Sequence, residues 1–533
     1  MASAGRRIVQ VSGVNPLFAD ARWTKAPRRS AFKLWLVFGA ELILFAIIRL
    51  PLNLNLDAYA FADRGMFPTV CYLVTHGGRP TIDFGYPYGL LPILLTQGVF
   101  HLFGWAPLAH EAAMGVCAFA GAWGMARFAN AMRLGTIGII LLVVALPFAI
   151  LVSYPSLIHA MEAAVLCNAL AEQAAGRHAG ALALATVACF IKPAMGYLYG
   201  FVLLLLMVLD AWRSAVAVKS RIDWRSLLGR LAPAALTGVI LLALLAAAFG
   251  VEPLINTLLP GAGRVEYRHM GLGSVLYGGR DLWFQPRLGL PFYLFTVAGF
   301  WITATLWLVV AGARAAWKLT RAYWAARTPA AGEEFVFTCA VLHVTFITAF
   351  FGGPVSWEYY SYVLVMGVAA TSIWNAASAR IVGAIALLTL SGNIAHLEMA
   401  AAAWRTTAPS PQTAGLWAST QERNAWKRVI EATAGRHATV IISAGDVAVL
   451  FPTFAPPFGV YLAPGVTLPS ELARATEDLK HAPMIFAVTS GPLGYALDFF
   501  PQFRRLLNRR EVVLNEPLEK ATFTVYGAVR PPR

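Results

Sequence analysis

A long series of apolar segments, most of them close to the length that crosses a lipid bilayer, runs from Leu34 to Leu397. About 20 apolar residues span the hydrocarbon core of a bilayer. A backbone in lipid must satisfy its own hydrogen bonds, which a helix does. With 58% hydrophobic and 13% charged residues, the chain is too apolar for a soluble globular protein. The sequence therefore predicts a multi-pass α-helical membrane protein.

The distribution of basic residues predicts how the helices are oriented. Residues 1–33 are rich in Arg and Lys and carry no cleavable signal, which is typical of a cytoplasmic arm before a first membrane helix. Basic residues recur in several later connections. If all of them face the cytoplasm, the segment Leu90–Trp105 lies along the outer face, about 11 crossings remain and the C-terminus lies outside. If Leu90–Trp105 crosses the membrane, the most basic connections lie on the outer face, against the usual enrichment of basic residues on the cytoplasmic side.

Other broad classes find no support in the sequence. The net charge of +15 is spread between apolar segments instead of forming one solvated basic face, so nucleic acid is not a predicted partner. The five cysteines show no metal-ligand spacing. No glycine-rich nucleotide-binding fingerprint is present.

After residue 399 the composition changes, and helix-like stretches alternate with β-branched runs. This alternation predicts a small α/β module. The chain is thus divided into a cytoplasmic arm (1–33), a membrane part (34–399) whose outer loop 51–107 carries the candidate site, and an extracytoplasmic C-terminal module (400–533).

The outer loop begins with Asp57, directly after the first apolar segment. Ionisable residues at the edge of a membrane are costly unless they have a function. A carboxylate there is suited to accept a proton from a hydroxyl, and it is also a favoured helix cap. The spacing of Asp57 and Arg64 predicts that both lie on one face of a helix. Tyr59, Tyr86 and Tyr88 are either interfacial anchors or substrate contacts.

Two patterns in this loop carry a resemblance to a known family. The first is Asp-x-Tyr at Asp57, and the second is G-R-P-x-x-D-F-x-Y-P-Y-G, from Gly78 to Gly89. Together they resemble the first outer loop of the GT-C superfamily, the multi-spanning glycosyltransferases that use lipid-phosphate-linked sugars, and in particular its bacterial branch. The resemblance implies a catalytic role for Asp57, with Asp83 as the second acidic residue, and inversion at the anomeric carbon. Thr81 departs from the tyrosine that is usual in the family.

A lipid-phosphate donor requires cationic groups on the outer side. Basic residues are usually enriched in cytoplasmic loops and not in outer ones. The predicted outer loop Val251–Arg287 nevertheless contains Arg264, Arg268, His269 and Arg280. Arginine side chains bind phosphate in a bidentate manner and would stabilise a departing phosphate. Binding of anionic lipid head groups is the alternative. Lys192, which interrupts an apolar run, is either a further phosphate contact or a snorkelling anchor.

Further residues at the outer ends of the helices are predicted to contact the sugar or the acceptor. They are Tyr59, Arg64, Arg79, Tyr86, Tyr88, Glu358 and Tyr359, with Glu162 and His159 as additional polar contacts. No cofactor is predicted, although Asp57 and Asp83 are a pair of carboxylates able to share a divalent metal.

The resemblance thus implies an inverting hexosyl- or pentosyltransferase in the bacterial-type inner membrane. It would move a sugar from a polyprenyl-phosphate donor to a hydroxyl of a glycan or lipid acceptor, with membrane lipids as further partners. Two alternatives stay open. A transporter or flippase for lipid-linked saccharides would need a polar path through the bilayer. An O-antigen ligase or polymerase would rely on outer arginines and histidines without Asp57. In any of these, the C-terminal module is a candidate acceptor-binding unit.

Overall fold

The computed structural model describes residues 28–61, 63–104, 106–147, 157–219, 221–259, 299–349, 361–442, 447–451, 453–455, 462, 466–490, 496–519 and 521–529. Most of the predicted arm 1–33 lies outside these residues.

Up to residue 406, the regular elements of the described residues are all helices. Its helices are α1 (Arg28–Ile48), α2 (Leu50–Asn53), α3 (Leu56–Ala60), α4 (Asp63–Thr75), α5 (Leu91–Phe103), α6 (Pro107–Ala131), α7 (Thr136–Leu146), α8 (Leu157–Ala174), α9 (His178–Cys189), α10 (Pro193–Val218), α11 (Trp224–Phe249), α12 (Val251–Leu258), α13 (Gly299–Trp324), α14 (Ala331–Ala349), α15 (Ser361–Thr371) and α16 (Ala376–Thr406). Among the described residues, six helices are long and apolar enough to span a membrane: α1, α6, α10, α11, α13 and α16. The predicted multi-pass helical fold is confirmed, whereas the number of crossings stays a prediction.

Small residues allow the apolar helices to approach closely. A Cβ at Gly124 in α6 would lie 2.6 Å from the backbone of Cys167 in α8. A Cβ at Gly312 in α13 would overlap the side chain of Ala340 in α14. Glycine at such contacts is the usual solution in membranes, where close van der Waals packing and not water exclusion holds helices together.

The C-terminal module contains two sheets. Strands β1 (Thr407–Pro409) and β2 (Trp417–Ser419) form an antiparallel pair. The larger sheet has the order β3-β4-β6-β5, with β3 (Thr439–Ile441) parallel to β4 (Ile485–Ser490) and with β6 (Thr522–Val529) antiparallel to both β4 and β5 (Arg510–Pro517). The module's helices are α17 (Thr420–Thr433), α18 (Val447–Leu450), α19 (Pro469–His481), α20 (Ala496–Phe499) and α21 (Pro501–Leu507). The predicted α/β character of this region is confirmed.

The C-terminal module packs directly on the start of the candidate loop. Phe61, at the end of α3, is fully buried, with its ring centroid 4.9 Å from that of Phe523 and 5.5 Å from that of Trp426. The N–H of Trp417 donates to the carbonyl oxygen of Leu54 at 2.7 Å. The loop after the first membrane helix is therefore part of the core of the module, and both lie at the same end of the helical bundle.

Helix α5 begins and ends at this same end of the bundle. Where it begins, the N–H of Leu91 donates to the carbonyl oxygen of Phe190 at 3.1 Å, at the start of the turn into α10. Just after it ends, the carbonyl oxygen of Pro107 lies 3.2 Å from the hydroxyl of Tyr59, in α3. Both ends of α5 thus lie at one end of the bundle, and the position of Leu90–Trp105 relative to the membrane stays a prediction.

The opposite end of the bundle is marked by the connection between α13 and α14. Arg213, about 30 Å along α10 from its first residue, donates to Thr328 Oγ1 at 2.9 Å.

Cysteine accessibility tests the path of α5. We expect single cysteines that replace His101, near the end of α5, and Lys480, in the module, to react with a membrane-impermeant maleimide from the same side of sealed vesicles. A cysteine at Ala325 should react only when the vesicles are opened. Labelling of His101 together with Ala325 would contradict the described path of α5.

Candidate functional site

Asp57 lies in a buried first turn. Asn55 caps α3, and its side-chain oxygen accepts a hydrogen bond from the N–H of Asp57 at 2.9 Å. The Asp57 residue is only 3% exposed. Burial of a carboxylate is unfavourable unless hydrogen bonds or charges compensate it. A buried acid in a loop beside the membrane is therefore a candidate for function.

The prediction that Asp57 and Arg64 share one helix face is wrong. Helix α3 ends after Ala60, and the N–H of its cap residue Phe61 donates to the carbonyl oxygen of Asp57 at 3.3 Å. Arg64 lies in the next helix, α4. The chain changes direction because Phe61 turns into the core of the C-terminal module, a long-range contact that helical spacing does not reveal.

Tyr59 and Arg64 converge on a glutamate from α6. The hydroxyl of Tyr59 donates to Glu111 Oε1 at 2.6 Å and lies 2.9 Å from His110 Nδ1. Arg64 forms an ion pair with the same Glu111 oxygen, and its other amino group lies 3.4 Å from Asn53 Oδ1. We call Tyr59, Arg64, His110 and Glu111 the Glu111 network. Tyr59 and Arg64 follow Asp57 by two and seven residues, and the network links α3 and α4 to α6.

Sequence reasoning did not identify His110 and Glu111. They sit in the first turns of an apolar helix about 50 residues after Tyr59, where neither position interrupts a motif. The only available signal was an acidic residue near the outer end of a predicted membrane helix, which is costly there without a partner.

Asp83 lies in a tight turn and is held by Arg79. The backbone N–H of Arg79 donates to Asp83 Oδ2 at 2.8 Å, and its side chain donates to both carboxylate oxygens at 3.0 and 3.2 Å. Arg79 is exposed and Asp83 is half-buried. The side-chain hydrogen bond from Arg79 holds the pKa of Asp83 below its usual range. Two residues predicted for catalysis and substrate binding thus pair with each other, and the contacts described for Asp83 do not reach Asp57.

No group of three or more His, Cys, Asp or Glu side chains able to hold a metal is found among the described residues. The sharing of a divalent ion by Asp57 and Asp83 gains no support from the contacts of Asp83, because both of its oxygens accept hydrogen bonds from Arg79.

The second half of the motif forms a short turn against the helices that precede α10. Tyr86 is buried, and its hydroxyl donates to the carbonyl oxygen of Gly89 at 2.9 Å. The N–H of Gly89 donates to the carbonyl oxygen of Ile191 at 2.9 Å. A Cβ at Gly89 would overlap the carbonyl oxygen of Phe190, so only glycine fits. Tyr86 thus stabilises this turn, and its predicted contact with the substrate stays a prediction.

The turn brings Tyr88 to a second group of polar residues, which we call the Lys192 cluster: Tyr88, His159, Glu162 and Lys192. The ring of Tyr88 stands perpendicular to that of His159 with the centroids 6.2 Å apart. Lys192 Nζ lies 3.5 Å from His159 Nδ1. Burial lowers the pKa of Lys192, and the charge of the buried Glu162 opposes this effect. A cationic group and a carboxylate thus lie together on the side of the bundle that carries Asp57.

The remaining predicted site residues lie outside the described residues: Arg264, Arg268, His269, Arg280, Glu358 and Tyr359. Their proposed contacts with phosphate and sugar stay predictions.

The fold and these two groups define a multi-pass helical membrane protein with buried ionisable residues at one end of its bundle, under an α/β module. Among solved structures, the chain is similar to the crystal structure of ArnT from Cupriavidus metallidurans bound to undecaprenyl phosphate. The sequence identity is 13%, the match covers 92% of this chain and 99% of that chain, and the TM-score is 0.48. Nothing about the chemistry of the chain follows from similarity at this level. No protein-family model and no curated protein matches the sequence.

Removal of the Glu111 carboxylate should destabilise the protein strongly. Arg64 would then be left buried without its ion-pair partner, a change that typically costs about 3–5 kcal/mol of the free energy of unfolding. We expect Glu111→Ala to lower the thermal unfolding temperature in detergent clearly more than Asp83→Ala, which breaks an exposed pair.

A double variant provides the control. If Arg64 and Glu111 act as a pair, Arg64→Ala combined with Glu111→Ala should cost less than the sum of the single changes. Additive costs would show that the two side chains stabilise the loop independently.

Proposed function

We propose that the protein is a membrane glycosyltransferase of the GT-C type. It moves a sugar from a polyprenyl-phosphate-linked donor to a hydroxyl group of a glycan or lipid acceptor. The reaction takes place at the end of the helical bundle that carries the C-terminal module, which we assign to the outer face of a bacterial inner membrane.

One observation carries this proposal more than any other. Asp57, the acidic residue singled out by the sequence motif, is buried in the loop that follows the first membrane helix. A carboxylate that only caps a surface helix does not need burial, and a buried carboxylate requires hydrogen bonds or charges that compensate its desolvation. The Glu111 network holds Tyr59 and Arg64, which follow Asp57 in the chain, and a catalytic group requires support of this kind from its neighbours.

The proposed reaction is a displacement at the anomeric carbon of the donor sugar. The acceptor oxygen forms the new bond, and the bond between the anomeric carbon and the phosphate oxygen breaks, with its electron pair leaving on the polyprenyl phosphate. The acceptor proton passes to the carboxylate of Asp57, which acts as general base. Attack from the face opposite the leaving group inverts the anomeric centre.

The leaving phosphate is proposed to bind on the Lys192 side. Lys192 is cationic, partly desolvated and located next to the motif residue Tyr88 through His159. A positive group in such surroundings stabilises a developing phosphate charge better than the same group in water. The basic residues Arg264, Arg268, His269 and Arg280 are proposed to complete the phosphate site, and Glu358 and Tyr359 to contact the sugar.

Replacement of Asp57 by Asn tests the proposed general base. The substitution keeps the size of the side chain and removes its basicity, so transfer should fall by roughly 10²–10⁴-fold, whereas binding of polyprenyl phosphate should persist. The assay follows transfer of a radiolabelled sugar from a polyprenyl-phosphate donor in detergent or vesicles. Asp83→Asn is the control, since we expect it to retain most of the activity.

Two results would favour the alternative functions. Full activity of Asp57→Asn would favour the ligase or polymerase hypothesis, which does not need this carboxylate. Movement of lipid-linked saccharide across vesicles without any bond cleavage would favour a flippase.

Replacement of Lys192 by Met tests the phosphate contact. Loss of a charged hydrogen-bond partner typically costs about 1.5–3 kcal/mol, so polyprenyl phosphate should bind roughly 10- to 100-fold more weakly. Lys480→Met, on the exposed surface of the module, should bind as the wild type does. Unchanged binding to Lys192→Met would make Lys192 a membrane anchor.

A further inference from the structure

The C-terminal module reaches into the turn that carries Tyr86 and Tyr88. Glu471, in the first turn of α19, is 1% exposed. Its Oε2 accepts hydrogen bonds from the N–H of Gly85 at 2.8 Å and from the N–H of Leu468 at 3.0 Å. One buried carboxylate oxygen thus connects the module to the outer loop across 386 positions of sequence.

Gly85 fits only because it lacks a side chain. A Cβ at this position would overlap the carbonyl oxygen of Val466. Nearby, the side chain of Arg474 donates to the carbonyl oxygen of Asp83 at 2.8 Å. Backbone groups of the loop are therefore bonded by charged side chains of α19, and charged partners make the stronger class of hydrogen bond.

The other end of the turn is held by the membrane helices. Gly89 and Leu91 donate their N–H groups to the carbonyl oxygens of Ile191 and Phe190, at 2.9 and 3.1 Å, and Lys192 is the next residue along that chain. From Gly85 to Gly89 the chain can extend by no more than about 15 Å. Only three residues separate the two anchored glycines, so the link between them is short.

We propose that Glu471 is a positioning residue for the Lys192 cluster. By fixing Gly85, it sets the turn from Gly85 to Gly89 and thereby the place of Tyr88 and of the backbone at Ile191. The C-terminal module then controls the geometry of the donor-phosphate side instead of serving only as an acceptor-binding unit. The link to donor binding rests on the proposed function, whereas the mechanical coupling does not.

The coupling is tested by hydrogen–deuterium exchange on the full-length protein in detergent, without any substrate. The variants are Glu471→Ala, Glu471→Gln, which keeps an acceptor oxygen, and Gly85→Ala, which acts from the loop side. Glu477→Gln is the control on α19, because Glu477 is exposed and pairs only with Lys480 and His481 among the described residues. Gly98→Ala is the control glycine, since a Cβ there meets no atom within 4 Å.

We expect the amides of Gly89 and Leu91 to exchange roughly tenfold faster or more in Glu471→Ala and Gly85→Ala, because local opening becomes easier. Glu471→Gln should restore most of the protection, and both controls should behave as wild type. If Glu471→Ala also opens β4, the module itself has been disturbed and Gly85→Ala decides. Unchanged protection at Gly89 and Leu91 in Gly85→Ala would overturn the coupling.

The consequence for donor binding is measured separately. Polyprenyl phosphate should bind several-fold more weakly to Glu471→Ala and Gly85→Ala than to Glu471→Gln. If exchange changes as expected but wild-type protein binds no polyprenyl phosphate, the proposed function fails while the positioning role stands. If wild-type protein binds it and the opened variants bind equally well, the proposed control over the phosphate side is overturned.

Discussion

The burial of Phe61 in the core of the C-terminal module is the contact on which the rest of the candidate site depends. Its ring lies among Trp426, Phe486 and Phe523, aromatic side chains of the module that meet it edge-on or at a tilt. A buried phenylalanine of this kind contributes on the order of 3–5 kcal/mol. Because Phe61 directly ends the helix of Asp57, the position of the acid is fixed by a hydrophobic core and not by the loop itself. The module is therefore part of the site's scaffold.

The two ion pairs of the candidate loop differ in their exposure to water. Arg64 and Glu111 pair in a largely buried place, and Tyr59 shares the same carboxylate oxygen. Such a pair adds little net stability, since desolvation offsets the attraction, but it defines one geometry sharply. The exposed pair of Arg79 and Asp83 differs, because it closes a local turn between residues four apart. Of the two acidic residues of the motif, Asp57 is thus buried, whereas Asp83 holds a local turn.

The sequence predicted the parts of this structure that depend on local pattern. The apolar segments, the alternation of strands and helices in the module, and the loop around Asp57 all follow from composition and spacing within a few tens of residues. The contacts that give the site its shape do not. Glu111 meets Tyr59 across 52 positions and Glu471 meets Gly85 across 386, and no periodicity joins such residues. The break between Asp57 and Arg64 escaped prediction for the same reason, since tertiary packing of Phe61 overrides the helical spacing.

Asp57 and Lys192 are held by different parts of the structure. Asp57 is fixed through Phe61 and Leu54 to the C-terminal module, whereas Lys192 is fixed by the helices α8, α9 and α10 of the membrane part. An inline displacement requires the base and the leaving group on opposite sides of one carbon atom, so small errors in their separation are costly. The turn from Gly85 to Gly89 is bonded to both parts, through Glu471 at one end and Ile191 at the other. Gly85 and Gly89 permit backbone contacts that no side chain would allow, which explains on steric grounds why the motif has glycine at these two positions.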